Sequence, residues 1–234
     1  MRSPRLITLT AAAALIAVTA TPEAGAAKLD EAEIRIEINA TDGDAGIQVF
    51  LDGEGWDTMV MTSPNGVEFS VLAENSIGMQ GITEFFFESA EPSFEEQSLE
   101  ELLELFPEGI YRFRGRTTEG KQLTGKATLT HALPDAPFQV SPIDGEEVDP
   151  EDAVFTWGAV ADPPGSEIVG YEVVIECEEP EFTKLSALVG AAVTSITVPP
   201  EVLGQEDADE CKWEVLAIEE SGNQTISETE FGIE

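Results

Sequence analysis

The sequence predicts an all-β protein built as two β-sandwich domains. Short segments rich in β-branched and aromatic residues recur along the chain with a period of two, and turn residues punctuate them. A break at Ala132-Leu-Pro-Asp-Ala-Pro137 divides the run, and its two prolines cannot continue a central strand because proline has no amide hydrogen to donate. The expected organisation is a signal peptide over residues 1–26, an amino-terminal sandwich over 33–131, a linker over 132–137 and a carboxy-terminal sandwich over 138–234. Apolar residues make up 42% of the chain and keep strand periods, so the high charge does not signal disorder.

The start of the chain has the pattern of an export signal. Arg2 and Arg5 precede an apolar run from Leu6 to Ala20, and Ala24-Gly-Ala26 offers small residues for cleavage. Pro22 and Glu23 stop that run short of the roughly 18 residues that span a bilayer. No later stretch is apolar enough to span, and no cysteine near the cleavage region can carry a lipid. The expected location is secreted or periplasmic, without membrane insertion.

In the amino-terminal half the strand candidates are Ile34–Ile38, Ile47–Leu51, Thr58–Thr62, Val67–Val71, Glu84–Phe87, Ile110–Phe113 and Lys126–Thr130. Pro64-Asn-Gly66 and Thr118-Glu-Gly120 mark turns, the second joining a hairpin. One helix interrupts the strands. Ser98-Leu-Glu-Glu101 is a capping box, and Leu99, Leu102, Leu103 and Phe106 share a helical face before Pro107. The stretch Phe106 to Tyr111 resembles the turn that leads into the tyrosine-bearing strand of immunoglobulin-like domains.

The carboxy-terminal strand candidates are Ala153–Trp157, Ile168–Cys177, Thr194–Val198, Cys211–Ile218 and Thr225–Ile233. Their landmarks are a proline-led entry, Trp157, Gly170-Tyr-Glu-Val173, and Val215-Leu-Ala217 followed by Ser221-Gly222. In this order they resemble a fibronectin type III domain, over roughly Ala136 to Glu234. The resemblance implies Trp157, Tyr171, Trp213 and Val215 as core. It departs at one position, where Cys211 replaces the usual tyrosine, and the loop from Leu203 to Glu210 is longer and more acidic than usual. In that fold the strand ending at Cys177 runs antiparallel beside the strand opening at Cys211. The resemblance therefore implies a Cys177–Cys211 disulfide, in keeping with an exported chain that has only two cysteines.

The formal charge of −36 argues against nucleic acid and anionic membrane as partners. Arg112, Arg114 and Arg116 alternate with Tyr111, Phe113 and Gly115, which reads as one solvated sheet face. The acidic residues are spread along the chain, as expected of a solubility device. Beyond the signal the one histidine, His131, sits at a strand end. No Gly-x-Ser-x-Gly elbow, zinc-ligand set or phosphate-binding glycine loop is present, and no carboxylate pair stands out for glycoside hydrolysis. Calcium is the one cofactor the sequence raises. Its candidate ligands are Asp42 and Asp44 in one acidic glycine-rich loop and Asp52 and Asp57 in another. A strand over Ile47–Leu51 would hold these loops at opposite ends of the domain, so the four do not form one shared site. Trp56 is expected in the core, the alternative being an exposed aromatic for stacking on a sugar. Asn39 and Asn223 begin sequons that matter only in a glycosylating host.

These features imply an exported, non-enzymatic recognition or structural module that binds a protein or polysaccharide at the cell surface. The alternative is a calcium-stabilised or carbohydrate-binding module.

Overall fold

The computed structural model describes residues 26–177, 184–204 and 210–234. The expected signal peptide over 1–26, apart from its last residue, lies outside them, as does most of the acidic loop before Cys211. The chain is mostly β. In the amino-terminal half, β1 (Ala27–Lys28), β2 (Glu31–Asn39), β3 (Asp44–Thr62), β4 (Glu68–Leu72), α1 (Asn75–Gln80), β5 (Ile82–Glu88), α2 (Leu99–Leu105), β6 (Gly109–Thr117) and β7 (Gln122–Leu129) follow in order. Then come β8 (Gln139–Ser141), β9 (Glu146–Val148), β10 (Val154–Trp157), β11 (Ile168–Cys177), β12 (Lys184–Gly190), β13 (Ser195–Thr197), α3 (Pro200–Leu203), β14 (Glu210–Glu219) and β15 (Gln224–Ile233). Among the described residues no helix is long and apolar enough to cross a membrane.

Strand β3 corrects one expectation. The segments Ile47–Leu51 and Thr58–Thr62 are not separate strands flanking an acidic loop but two parts of one 19-residue strand. Its first half pairs with β2 and β5 and its second with β6 and β4, with register shifts between Asp52 and Thr58. A bulge of this kind bends a strand and lets it change partners. Gly53 and Gly55, which read as turn residues, occupy that corner.

Two glycines make room for the crossing from β1 to β2. Strand β1 pairs parallel with β7, after which Leu29 N donates to Thr124 O and Asp30 N to Asp52 O as the chain crosses into β2 on β3. Leu29 fills the crossing. A Cβ on Gly125 would lie 2.6 Å from its Cδ1, and one on Gly53 would lie 3.1 Å from its Cδ2. The enclosed core includes Ile36, Ile47, Trp56, Tyr111, Phe113 and Leu123. Trp56 is fully buried, edge-on to Phe85 at 6.0 Å between centroids. The capping box of α2 forms as expected, with Ser98 Oγ accepting from Glu101 N, and Tyr111 Oη donates to Pro107 O at 3.1 Å.

In the carboxy-terminal half a three-stranded sheet, in the order β13-β10-β8, shares a core with β12, β11, β14 and β15. This three-against-four sandwich agrees with the β-sandwich that the fibronectin type III resemblance implies, and β11 runs antiparallel beside β14 as expected. Trp157, Tyr171, Trp213 and Val215 are all buried in it. Cys177 and Cys211 are register partners on β11 and β14, 4.0 Å apart at Cα, and are joined by a disulfide across 34 residues.

Two stability outcomes are expected. Closing a loop of that length contributes about 4 kcal/mol by restricting the unfolded chain, so Cys211→Ser should lower the urea-unfolding free energy by about that amount. Gly125→Ala should cost about 1–3 kcal/mol by overpacking. In a Leu29→Ala background that cost should largely disappear, which a double-mutant cycle would read directly.

Candidate functional site

The two cores meet where β15 leaves its turn. Gly222, at φ +96°, lets the chain reverse after β14, and the first three residues of β15 pair parallel with the end of β2, Gln224 against Glu37, Thr225 against Ile38 and Ile226 against Asn39. This pairing joins the sheets of both halves into one of twelve strands. Asn223, at 0% exposure, closes the joint. Its Oδ1 accepts from Ile36 N at 2.9 Å, while Nδ2 donates to Thr130 O at 3.0 Å and to Ala132 O and Thr130 Oγ1 at 3.1 Å. A side-chain amide supplies a carbonyl acceptor and two donor hydrogens from one neutral group. Thr225 Oγ1 adds a bond to Pro134 O at 2.8 Å. With its side chain enclosed in this way, the Asn223 sequon is sterically closed.

Beside Asn223 lies a fully buried carboxylate, Glu219. It accepts from the backbone N of Ser221 and Asn223, each at 3.0 Å, and closely from the hydroxyls of Ser166 and Ser221. Burying so polar a group is costly without such saturation. Each hydroxyl has one proton, so the bonds run in one direction: Asn223 to Thr130, Thr130 to Ser221, Ser221 to Glu219.

A cleft of about 530 Å³ opens over this network, lined among others by Glu108, Thr130, His131, Ser166 and Ser221. His131 Nε2 lies 2.9 Å from Phe106 O, and its backbone N donates to Glu108 Oε1 at 2.7 Å. Ser221 gives its proton to Glu219 and the histidine is turned to Phe106. The three residues therefore do not form the nucleophile, base and acid sequence of a catalytic triad.

The predicted aspartates are dispersed. Asp42 sits in the turn after β2, held by Asn39 Nδ2 at 3.2 Å, and Asp44 opens β3. Burial raises the Asp44 carboxyl above its usual range, with the charges of Asp42 and Glu228 adding to it. Asp52 lies within β3, opposite Glu31 and Glu84. Asp57 binds Arg116 through two bonds, at 3.0 and 3.3 Å, and that hydrogen bonding holds its carboxyl below the usual range.

What the fold does bring together is Glu37, Glu88 and Glu91, whose carboxylate oxygens lie within 4.8 Å of one another. They come from β2, the end of β5 and the loop beyond it. Gly46 makes room for them, since a Cβ there would sit 2.8 Å from Glu91 Cγ. Gln48 Nε2 donates to Glu88 Oε1 at 2.8 Å, and Gln224 Nε2 reaches Glu37 from across the joint. Partial shielding from water where its stem lies on the sheet pushes Glu91 up to about 7, helped by the charges of Glu88, Glu37 and Asp44. Burial likewise raises Glu37. Such a group can share a proton near neutral pH, and its oxygens are close enough together to contact one divalent cation. Nothing local in the sequence marks it, because Glu37 is about fifty residues from its partners.

No family model matches the chain, and no curated protein matches it. Solved structures with a similar course include a tetra-tandem repeat from the extending region of a large adhesion protein, at 10% identity and a TM-score of 0.30 over 87% of this chain and 50% of that one. A structure of a 1.5-MDa bacterial ice-binding adhesin, described for host cell surface retention, aligns at 16% identity and a TM-score of 0.28 over 87% of this chain and 65% of that one. A two-domain fibronectin type III segment of chicken tenascin aligns at 12% identity and a TM-score of 0.24, over 85% and 97% of the two chains. The chain thus spans half of the first structure and just under two thirds of the second.

The acidic cluster sets a pH dependence. Glu91 has a folded-state pKa of about 7 against an ordinary 4.5, so the native chain holds the extra proton between those values. Its destabilising effect is complete above pH 7 and fades as the pH falls toward 4.5. Solvent screening of this exposed residue keeps the effect modest. Glu91→Gln should raise the urea midpoint at pH 8, and the gap from the parent chain should close by pH 4.5.

Proposed function

We propose that the chain is an exported, non-enzymatic module that holds two β-sandwich units, residues 33–131 and 138–234, in a fixed relation and presents their surfaces to a protein or an extracellular polymer. The observation that carries this reading is the joint: a continuous sheet through β2 and β15, closed by an asparagine whose amide is satisfied from both sides. Inter-domain contacts within a chain are commonly loose, so a buried, fully bonded seam supports a spacer or presenting role. The Cys177–Cys211 bond supports export, since such bonds persist in oxidising compartments.

Several groups that chemistry would call on are committed to structure. The two cysteines form the disulfide, Glu219 is saturated by four donors and His131 anchors the α2–β6 turn. These commitments favour recognition over turnover.

Nitrogen-15 relaxation tests the reading. One rotational correlation time should describe both units in the parent chain. Asn223→Ala orphans Ile36 N and two carbonyls, and should cost about 3 kcal/mol or more. It should also split the correlation time into two values. Two independent values in the parent chain would overturn the fixed relation.

A further inference from the structure

The chain has nine cations beyond its first 26 residues, against acidic residues at every turn. Five of them are paired: Arg35 with Glu33, Arg116 with Asp57, Lys121 with Glu119, Lys184 with Glu176, and Lys212 with Glu214 and Glu228. Lys28, Arg112, Arg114 and Lys126 form no ion pair among the described residues. In so acidic a protein, four cations left free are the exception, and all four share one surface.

That surface is the outer face of β1, β7 and β6. Arg112 is the register partner of Lys126, and Arg114 is the partner of Thr124, which is in turn opposite Lys28. The inward positions of the same strands, Tyr111, Phe113, Leu123 and Leu129, are buried, so strand alternation sends the cations to solvent. Lys28, Arg112 and Lys126 line a hollow of about 390 Å³. Arg114, Gln122 and Thr124 line a second, of about 400 Å³. Thr124 lines both, so the two lie side by side. Asp30 is the acidic residue at the rim of the first hollow.

We propose that this face binds an anionic polysaccharide, one whose sugar rings carry carboxylate or sulfate groups; the assignment rests on the recognition reading above and names its ligand. Arginine forks hold such planar or tetrahedral anions through paired hydrogen bonds, and Thr124 and Gln122 between them offer partners for sugar hydroxyls. Arg112 and Arg114, two residues apart on one strand, are about 6.6 Å apart along it, with Lys126 about 5 Å across on the next. A repeating anion suits that ladder better than a single ion. Stacking on neutral sugar rings uses exposed aromatic faces, and the exposed aromatics Phe69, Phe86, Phe94 and Phe138 all lie off these three strands. A protein partner would need the apolar or aromatic anchors that dominate such interfaces, and the strands present only Ile110 as a large exposed apolar side chain.

The net charge of −36 gives the binding a distinctive salt profile. At 0.01 M salt, where the screening length is about 30 Å, the whole molecule repels a polyanion; at about 0.15 M the length is about 8 Å and only the contacting face is felt. Binding should therefore be strongest near 0.15 M and weaken both below and toward 1 M.

The test uses the full chain and measures its dissociation constant by biolayer interferometry on immobilised polygalacturonate, dextran sulfate and neutral dextran. Polygalacturonate reports carboxylate and dextran sulfate reports sulfate recognition. Binding to at least one of them and not to neutral dextran is expected. Arg112→Gln with Arg114→Gln should weaken it at least tenfold, Lys126→Gln alone severalfold, and Arg116→Gln, whose charge is already paired, little. Far-UV circular dichroism should show each variant folded. Failure to bind either polyanion at 0.15 M, or binding unchanged in the double variant, would overturn the assignment. So would concentration-dependent self-association that the double variant abolishes, which would give the face to a second copy. A chain with one correlation time that binds neither polymer would refute the ligand and leave the two-unit reading intact.

Discussion

A β-sheet edge presents a row of unpaired backbone groups, and a protein built of several sheets must deal with each one. In this chain two of them are satisfied by each other. The end of β2 takes the start of β15 as its neighbour, and the side chains around the contact follow from that choice. Asn223 bonds Ile36 N just before the pairing begins, Thr225 ties down Pro134, and Gln224 reaches across to Glu37. The buried carboxylate of Glu219 is tolerable because the same turn aims its own amides back at it. The junction is thus an extension of the sheet itself, and the acidic cluster is built on its flank.

Glycine permits much of the rest. At Gly46 the absent side chain lets Glu91 lie down on the sheet; at Gly53 and Gly125 it lets Leu29 cross between strands. These positions are paid for with weaker local strand preference, compensated by ladder hydrogen bonds along the 19-residue β3, which holds Gly46 and Gly53, and along β7, which holds Gly125. The same long strand turns a corner and serves both walls of the amino-terminal core.

Much of this was legible in the sequence. Alternation located most strands, the Ser98–Glu101 box located α2, and the fibronectin type III likeness led to the cysteine pair and the buried Trp157, Tyr171, Trp213 and Val215. Asp52 to Asp57 misled because glycine and aspartate have the same composition in a bulge as in a loop. The short helix α1 buries none of its residues, so no apolar stripe announces it. The joint and the Glu37, Glu88 and Glu91 group depend on segments far apart in the chain, and periodicity carries no information about which distant strands will meet. The four unpaired cations were half visible, as a stripe on β6; Lys28 and Lys126 join it only through strand pairing.

The pairing of β2 with β15 also has a history in time. Glu37 and Gln224 are register partners 187 residues apart, so this contact sits at the high end of contact order for the chain. Non-local pairings of that kind form late, because their loop-closure entropy must be met before they stabilise anything. During synthesis the amino-terminal half can complete its own core while the outer edge of β2 waits, exposed, for residues 224–226 to emerge. Until then Glu37, Ile38 and Asn39 stand on that edge, and the charge and polarity of the outer two make it a poorer template for a neighbouring nascent chain. The residues that later finish the seam are the ones that keep it from closing on the wrong strand.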